Sequence, residues 1–247
     1  MLPEFIKPVV HKFRKYYIPY LVPNPGIDPE FKMMNLPELV QKSDTVVEVG
    51  ARTGAATVHL SKLAKFVYAF EPNPECFEFL RQYAKRIGNV EAFNFGLWNE
   101  ETKLALGVNF KLDGDASFLE RSETSLIVKV RSLDSFGLEP TVIIFDCKGS
   151  EFEVLDGAAE TLKAVRCIII ETTYITRSSP AKLLELRHRL ETLGFSNEKS
   201  VAEGRGSFDV WTRKPTAKFL ATRHHGQPAK SSTRDRPAHI LAPVLHT

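Results

Sequence analysis

The chain has 247 residues, 43% of them hydrophobic and 26% charged, which fits one soluble globular core with tails and is too short for two large ones. The net charge of +3 is concentrated at the end, where residues 216–247 hold five basic residues against one acid (Asp235), so the body is nearly neutral and no nucleic-acid partner is expected. Three widely spaced cysteines (Cys76, Cys147, Cys167) with no CxxC or Cys/His pattern exclude a disulfide framework and a zinc site, and fit a reducing, cytoplasmic setting.

Residues 1–29 mix aromatic and basic side chains and close on "VPNPG". Lys7, His11, Lys12, Arg14 and Lys15 interrupt the apolar residues, so the segment is not a secretory signal, and no apolar run here is long enough to span a bilayer. It reads as a helix covering one edge of the domain. Phe5, Ile6, Val9, Phe13 and Tyr17 also permit a weak contact with a membrane surface.

From Thr45 the pattern becomes regular. "TVVEV" predicts a strand, "AATVHLSKLA" a helix and "FVYAFE" a second strand. "NPECFEFLRQYAKRIG" predicts a helix with Asn73 as cap, Pro74 first and Gly88 as stop, its apolar face at Leu80, Tyr83, Ala84 and Ile87. "VEAFNFGL" reads as a third strand. Residues 98–131 break the rhythm with two strand-like runs, "KLALGV" and "LIVKV", near a polar loop holding Asp115 and Ser117, a candidate cover for an acceptor. "TVIIFD" is a buried strand. "SEFEVLDGAAETLK" reads as a helix opened by a capping box of Ser150 and Glu153. "RCIIIET" is a further buried strand, and "SPAKLLELRHRLETLG" a helix between Ser179 and Gly194 with a Leu183, Leu186, Leu190, Leu193 stripe. "FDVWTRK" reads as a last strand.

Strands alternating with helices, the strands continuously apolar, predict an α/β fold: a doubly wound, mostly parallel Rossmann-like sheet with helices on both faces. The domain is expected over 30–214, followed by a Pro-, Ser- and charge-rich tail, 215–247, expected to be disordered. His224, His225, His239 and His246 of that tail show no ligand spacing, and no metal is expected.

Ligands of such sheets bind at the carboxyl ends of the strands, where the strand order reverses. Gly50 and Gly54 suit the first turn, and Glu71 ends the second strand 21 residues after Gly50, where an acid can accept both ribose hydroxyls. The turn reads Gly50-Ala51-Arg52-Thr53-Gly54, with Arg52 where a dinucleotide fingerprint has its middle glycine and no P-loop lysine. The match is to E-x-G-x-x-x-G with Glu48 at the strand end. A carboxylate there suits a cationic ligand, and S-adenosylmethionine has an amino group and a sulfonium but no phosphate.

These residues carry a resemblance. The stretch from Val46 to Lys85 resembles the first half of the FkbM-type methyltransferases, a family with a D-V-G-A-N-x-G turn, an A-F-E-P strand and a D-V-E-G-x-E…L-x-G-A segment. "FDCKGSEFEVLDGA" at 145–158 is similar to the last, and "VRSLDSF" to the family's V-x-T-L-D; the likeness covers about residues 30–213. It departs at Arg52, where the family has Asn, and at Lys148, where the family's glutamate gives way to a cation. That reversal points to a different substrate or an inactive site.

The resemblance implies class I transfer of a methyl group from S-adenosylmethionine, on oxygen of a small molecule or sugar. Glu48 and the turn (Gly50, Ala51, Arg52, Thr53, Gly54) then hold the methionine part. Glu71, with Pro72 and Asn73, holds the ribose, while Asn94, Phe95, Gly96 and Leu97 line the adenine side. Asp146, Glu171 and Lys148 are the candidate catalytic residues: Asp146 and Glu171 end buried strands and are candidate bases, Asp146 serves equally as a cofactor-orienting acid, and Glu171 as the ion-pair partner of Lys148. Glu151 matches the family's last acid, and the helix dipole alone would favour an acid there. A nicotinamide-dependent oxidoreductase and a non-catalytic nucleoside-binding module are the alternatives. Oligomeric state is not legible.

Overall fold

The computed structural model describes residues 36–108, 116–118, 124–203 and 206–213. The N-terminal segment, Asp115 and the C-terminal tail of the sequence reading lie outside the described residues.

In chain order the elements are α1 (Leu36–Leu39), β1 (Thr45–Val49), α2 (Ala55–Leu63), β2 (Phe66–Phe70), α3 (Pro74–Ala84), β3 (Val90–Phe93), β4 (Gly96–Leu97), β5 (Thr102–Val108) and β6 (Thr124–Arg131). There follow a 3-10 turn at Leu133–Phe136, β7 (Val142–Phe145), α4 (Glu151–Asp156), a 3-10 turn at Thr161–Lys163, β8 (Cys167–Glu171), α5 (Thr173–Ser178), α6 (Pro180–Thr192), β9 (Ser196–Glu203) and β10 (Gly206–Thr212).

The described strands form a seven-stranded sheet in the order β3-β2-β1-β7-β8-β10-β9 and a three-stranded sheet in the order β4-β6-β5. The first five strands of the large sheet are parallel, and β10 and β9 close one side antiparallel. This is the expected doubly wound arrangement. β7 and β8 are buried throughout, so their apolar runs serve both faces. Val47, Val49, Ile143, Phe145, Ile168 and Ile170 turn to one core, with Val154, Leu186 and Leu190 over them. Val46, Val142, Ile144 and Ile169 turn to the other, under Leu36 and Leu60. The strand order reverses between β1 and β7, and the carboxyl ends of these neighbours open the crevice that such folds use for ligands.

Helix signals were read with mixed success. Asn73 caps α3 through its side chain, and Ser179 caps α6, each with Pro next. Gly194 follows α6 at φ +84°. α3 stops at Ala84, four residues before the expected Gly88. The capping box is not formed: Ser150 Oγ donates to the Cys147 carbonyl at 3.0 Å, and α4 ends at Asp156. The position after it, Gly157, has to be glycine because a Cβ there would lie 2.0 Å from the carbonyl oxygen of Trp98.

The expected third strand is two. β3 belongs to the large sheet, and after Asn94 and Phe95 the chain crosses into the small one as β4. The small sheet is inserted through paired ends: Leu97 pairs with Arg131, and Trp98 N–H donates to the Arg131 carbonyl at 3.0 Å. Asp134, from the "SLD" motif, then accepts from Glu160 N–H, Thr161 N–H and Thr161 Oγ, which caps the second 3-10 turn.

Candidate active site

The turn after β1 is built around backbone contact. Gly50 has φ +86°, and a Cβ on it would lie 2.1 Å from the carbonyl oxygen of Asp146, so only glycine allows β1 and β7 to end this close together. Gly50 and Ala51 N–H both donate to the Phe70 carbonyl, at 3.0 and 2.9 Å, which ties the turn to β2. Gly54 takes φ +93° at the start of α2. Arg52 is also left-handed, at φ +52°, and its N–H reaches Glu71 Oε2 at 2.7 Å. Thr53 is buried within the turn.

Two acids flank it. Glu48 is 3% exposed and accepts from Thr57 Oγ1 of α2 at 2.6 Å. Burial pushes its carboxyl up to about 8; the Thr57 hydroxyl opposes the rise, while Asp146 and Glu71 add to it. Glu71 is buried at the end of β2, with Oε1 accepting from Asn73 N–H at 2.8 Å and Oε2 from Arg52 N–H. Burial raises it to about 7 against the pull of these backbone donors. Asn94 Nδ2 donates to the carbonyls of Glu71 (2.9 Å) and Pro72 (3.2 Å), which holds this strand end in place. The turn, Glu71, Pro72, Asn73 and Asn94 are thus one hydrogen-bonded unit. Gly96 and Leu97 are buried in β4, where a Cβ on Gly96 would meet Phe118 at 2.8 Å.

A second group lies at the ends of β7 and β8. Lys148 Nζ stands 2.8 Å from Asp146 Oδ1 and 3.5 Å from Glu171 Oε2. The three candidate catalytic residues therefore meet, and the ion pair anticipated for Glu171 is present. Glu171 is also fixed by Thr173 N–H on Oε1 at 3.0 Å. Asp146 N–H donates to the Val49 carbonyl at 2.9 Å, so this group abuts the glycine turn.

Sequence reasoning missed Thr57 and gave Glu151 and Ser117 other parts. Glu151, discounted as a helix-dipole acid, is buried with Oε1 on Gly149 N–H at 3.0 Å, and its Oε2 has no hydrogen-bond partner among the described residues. Burial raises its carboxyl to about 7, the backbone donors oppose this, and Glu171 adds to it. Burial likewise pushes the neighbouring Cys147 thiol up. Thr57 carried no sequence signal for its bond to Glu48, and Ser117, expected only in a loop over the acceptor, binds the Lys148 carbonyl at 3.0 Å. Among the described residues no group of three or more His, Cys, Asp or Glu could hold a metal ion, and no helix is long and apolar enough to cross a membrane.

A doubly wound sheet with a glycine turn and an acid on the neighbouring strand is a Rossmann-like nucleoside-binding architecture, and the family and structural matches make it the class I methyltransferase form. The methyltransferase FkbM domain matches residues 48–196, and the chain belongs to that family. A hexuronic acid methyltransferase of Haloferax volcanii is 28% identical over 140 residues, covering 54% of this chain and 58% of its own. Methyltransferase FkbM from Methylobacillus flagellatus superposes with a TM-score of 0.55 at 16% identity, covering 75% of this chain and 48% of the other. A Streptococcus mutans protein described as a methyltransferase, solved with S-adenosylhomocysteine (SAH), superposes with a TM-score of 0.51 at 15% identity, covering 76% of this chain and 99% of its own. The chain thus spans about half the length of the Haloferax and Methylobacillus proteins.

Proposed function

We propose that the protein is an S-adenosylmethionine-dependent O-methyltransferase acting on a sugar, with a hexuronic acid as the acceptor class. The observation that carries the cofactor is the pair of buried acids, Glu48 and Glu71, on either side of a turn bounded by Gly50 and Gly54. Two buried carboxylates favour a cation, and Glu71 retains a lone pair on each oxygen beyond its backbone donors for ribose hydroxyls. The cradle fits this nucleoside: Glu48 with Gly50, Ala51, Arg52, Thr53 and Gly54 takes the methionine part, Glu71 with Pro72 and Asn73 the ribose. Asn94 stands on the adenine side, with Gly96 and Leu97 shaping the wall behind it. The Haloferax relative supports the acceptor class.

When bound, S-adenosylmethionine supplies a methyl group already activated by its sulfonium. The chain's own residues position the acceptor and take its proton. Glu171 Oε2 is buried, faces Lys148 Nζ at 3.5 Å and has no hydrogen bond among the described residues, which suits it to accept the hydroxyl proton; Asp146, more open to solvent, orients the group from the turn side. Lys148 neutralises part of this negative charge and offers an ammonium to an acceptor carboxylate.

Calorimetric titration with S-adenosylmethionine, SAH and NAD tests the cofactor. Binding of both sulfur nucleosides and not NAD is expected; NAD alone would indicate an oxidoreductase, and none of the three a non-catalytic module. Transfer of labelled methyl to a glucuronic-acid glycoside tests the acceptor, and cofactor binding without transfer to hexuronic acids would sink that class.

A further inference from the structure

Two buried side chains converge on a single peptide bond of the catalytic turn. The carbonyl oxygen of Lys148 accepts from Ser117 Oγ at 3.0 Å, and the N–H of Gly149 donates to Glu151 Oε1 at 3.0 Å. That carbonyl and that N–H belong to one planar unit, so the two contacts together fix its orientation. The backbone they hold is one that a free chain avoids. Lys148 has φ +50° and Gly149 φ +105°. A left-handed residue with a side chain costs about 1–2 kcal/mol and persists where its surroundings impose it. Ser117 is 2% exposed and Glu151 1%, so water does not compete for either bond.

We propose that Ser117 and Glu151 are positioning residues, a clamp on the Lys148–Gly149 peptide that sets the Lys148 ammonium between Asp146 and Glu171. What Lys148 does for an acceptor rests on the methyltransferase reading; the clamp does not. Released from it, Lys148 would relax to an ordinary negative φ, its Cα–Cβ bond would turn, and Nζ would leave its two acids. The helix dipole accounts for an acid in the first turn of α4. It accounts neither for the burial of Glu151 nor for its reach back to Gly149.

Ser117 arrives from the small sheet. Gly107 N–H donates to its carbonyl at 2.8 Å, and its own N–H donates to the Gly107 carbonyl at 3.1 Å. One jaw of the clamp therefore belongs to the inserted sheet and the other to α4, and the ammonium sits correctly only when both are in place.

The test is a lysine Nζ proton–nitrogen correlation spectrum of the full chain labelled with 15N-lysine, Lys148 being assigned by its disappearance in Lys148→Arg. The unmodified protein is expected to show a slowly exchanging Lys148 signal apart from those of exposed lysines. Ser117→Ala and Glu151→Ala are each expected to lose it. Glu151→Gln, whose amide oxygen still accepts from Gly149, is expected to keep it. A merely structural role would lower the melting temperature and leave the signal in place. Persistence of the signal in a folded alanine variant overturns the clamp, as does its absence from the unmodified protein or its loss in Glu151→Gln. Should Glu151→Ala fail to fold, Ser117→Ala decides. SAH titration of the same samples separates the two ideas, since a protein that binds no SAH yet shows the expected lysine pattern refutes the function and retains the clamp.

Discussion

β1 carries a buried acid at each end, and the two are treated in opposite ways. Asp44, just before the strand, is fully buried and fully satisfied. Its Oδ1 accepts from Thr141 Oγ1 at 2.7 Å and Arg166 Nε at 3.0 Å, and its Oδ2 from Gln41 N–H at 2.7 Å and Arg166 Nη2. Burial alone would raise its carboxyl, but the Arg166, Gln41 and Thr141 donors outweigh burial and hold it below the usual range. At the other end Glu48, with one hydroxyl donor, is pushed up to about 8, and Glu71 and Glu151 to about 7. The same residue chemistry on one sheet thus yields an acid held below its ordinary range by an arginine at the bottom and acids raised above it at the top. On the proposed reading, the top acids meet their cation in the cofactor.

Breaking the bottom should cost most. Asp44→Ala leaves Arg166 without its carboxylate and is expected to destabilise the fold by about 3–5 kcal/mol, read by chemical denaturation, with SAH affinity of the folded protein unchanged. An equal loss of affinity would erase the distinction between the ends. Gly50→Ala comes next: its methyl meets the Asp146 carbonyl at 2.1 Å in a left-handed backbone, so a loss of about 1–3 kcal/mol is expected together with loss of cofactor binding. Wild-type affinity in this variant would show that the close approach of β1 and β7 does not shape the cradle.

Glu71→Ala acts only on the upper end. It is expected to weaken cofactor binding by about 1.5–3 kcal/mol, roughly ten- to a hundredfold, in a protein that still folds, its melting temperature lowered by the two backbone donors left without their acceptor; unchanged binding would remove Glu71 from the site. The smallest effect is in pH. The folded values of Glu48, Glu71 and Glu151 lie above the ordinary 4.5, so the stability tied to their protons is present below about 4.5 and is lost as pH rises through about 7 to 8. Asp44 works in the other direction, its contribution vanishing in acid. Denaturation midpoints of the free protein are expected to fall between pH 6 and pH 9, and Glu48→Gln to flatten that fall. An alkaline limb that is equally steep in the variant would mean that Glu48 does not hold its proton.

The sequence made the large sheet legible because its signals are local. Alternating buried strands, Asn73-Pro74, Ser179-Pro180 and the spacing from Gly50 to Glu71 each report on neighbours within a few residues or one βαβ unit. Where it misled, a distant contact overruled a local one. The carbonyl of Trp98 requires glycine at 157, just past α4, and the Cys147 carbonyl takes the Ser150 hydroxyl that the capping box needed. "VEAFNFGL" hides a change of sheet because both halves are apolar. β9, mostly exposed at the sheet edge, has no apolar face to reveal it. Spacing named Glu48 and Glu71, the acids proposed for the cofactor, whereas Ser117 holds a peptide 31 residues away and Glu151 resembled a dipole acid.

The paired ends of the inserted sheet bear on how such a protein diversifies. Because Leu97 and Arg131 lie side by side, the segment between them begins and finishes at one point on the domain. A segment of different length grafted there closes the same gap, and each doubling of its length adds only about 0.6 kcal/mol of loop entropy. Insertion and replacement between these ends can therefore change the small sheet without altering the strands that carry the glycine turn and Glu71. The Ser117 contact sets one condition on such exchange, for any replacement must bring its own hydroxyl to the carbonyl of residue 148.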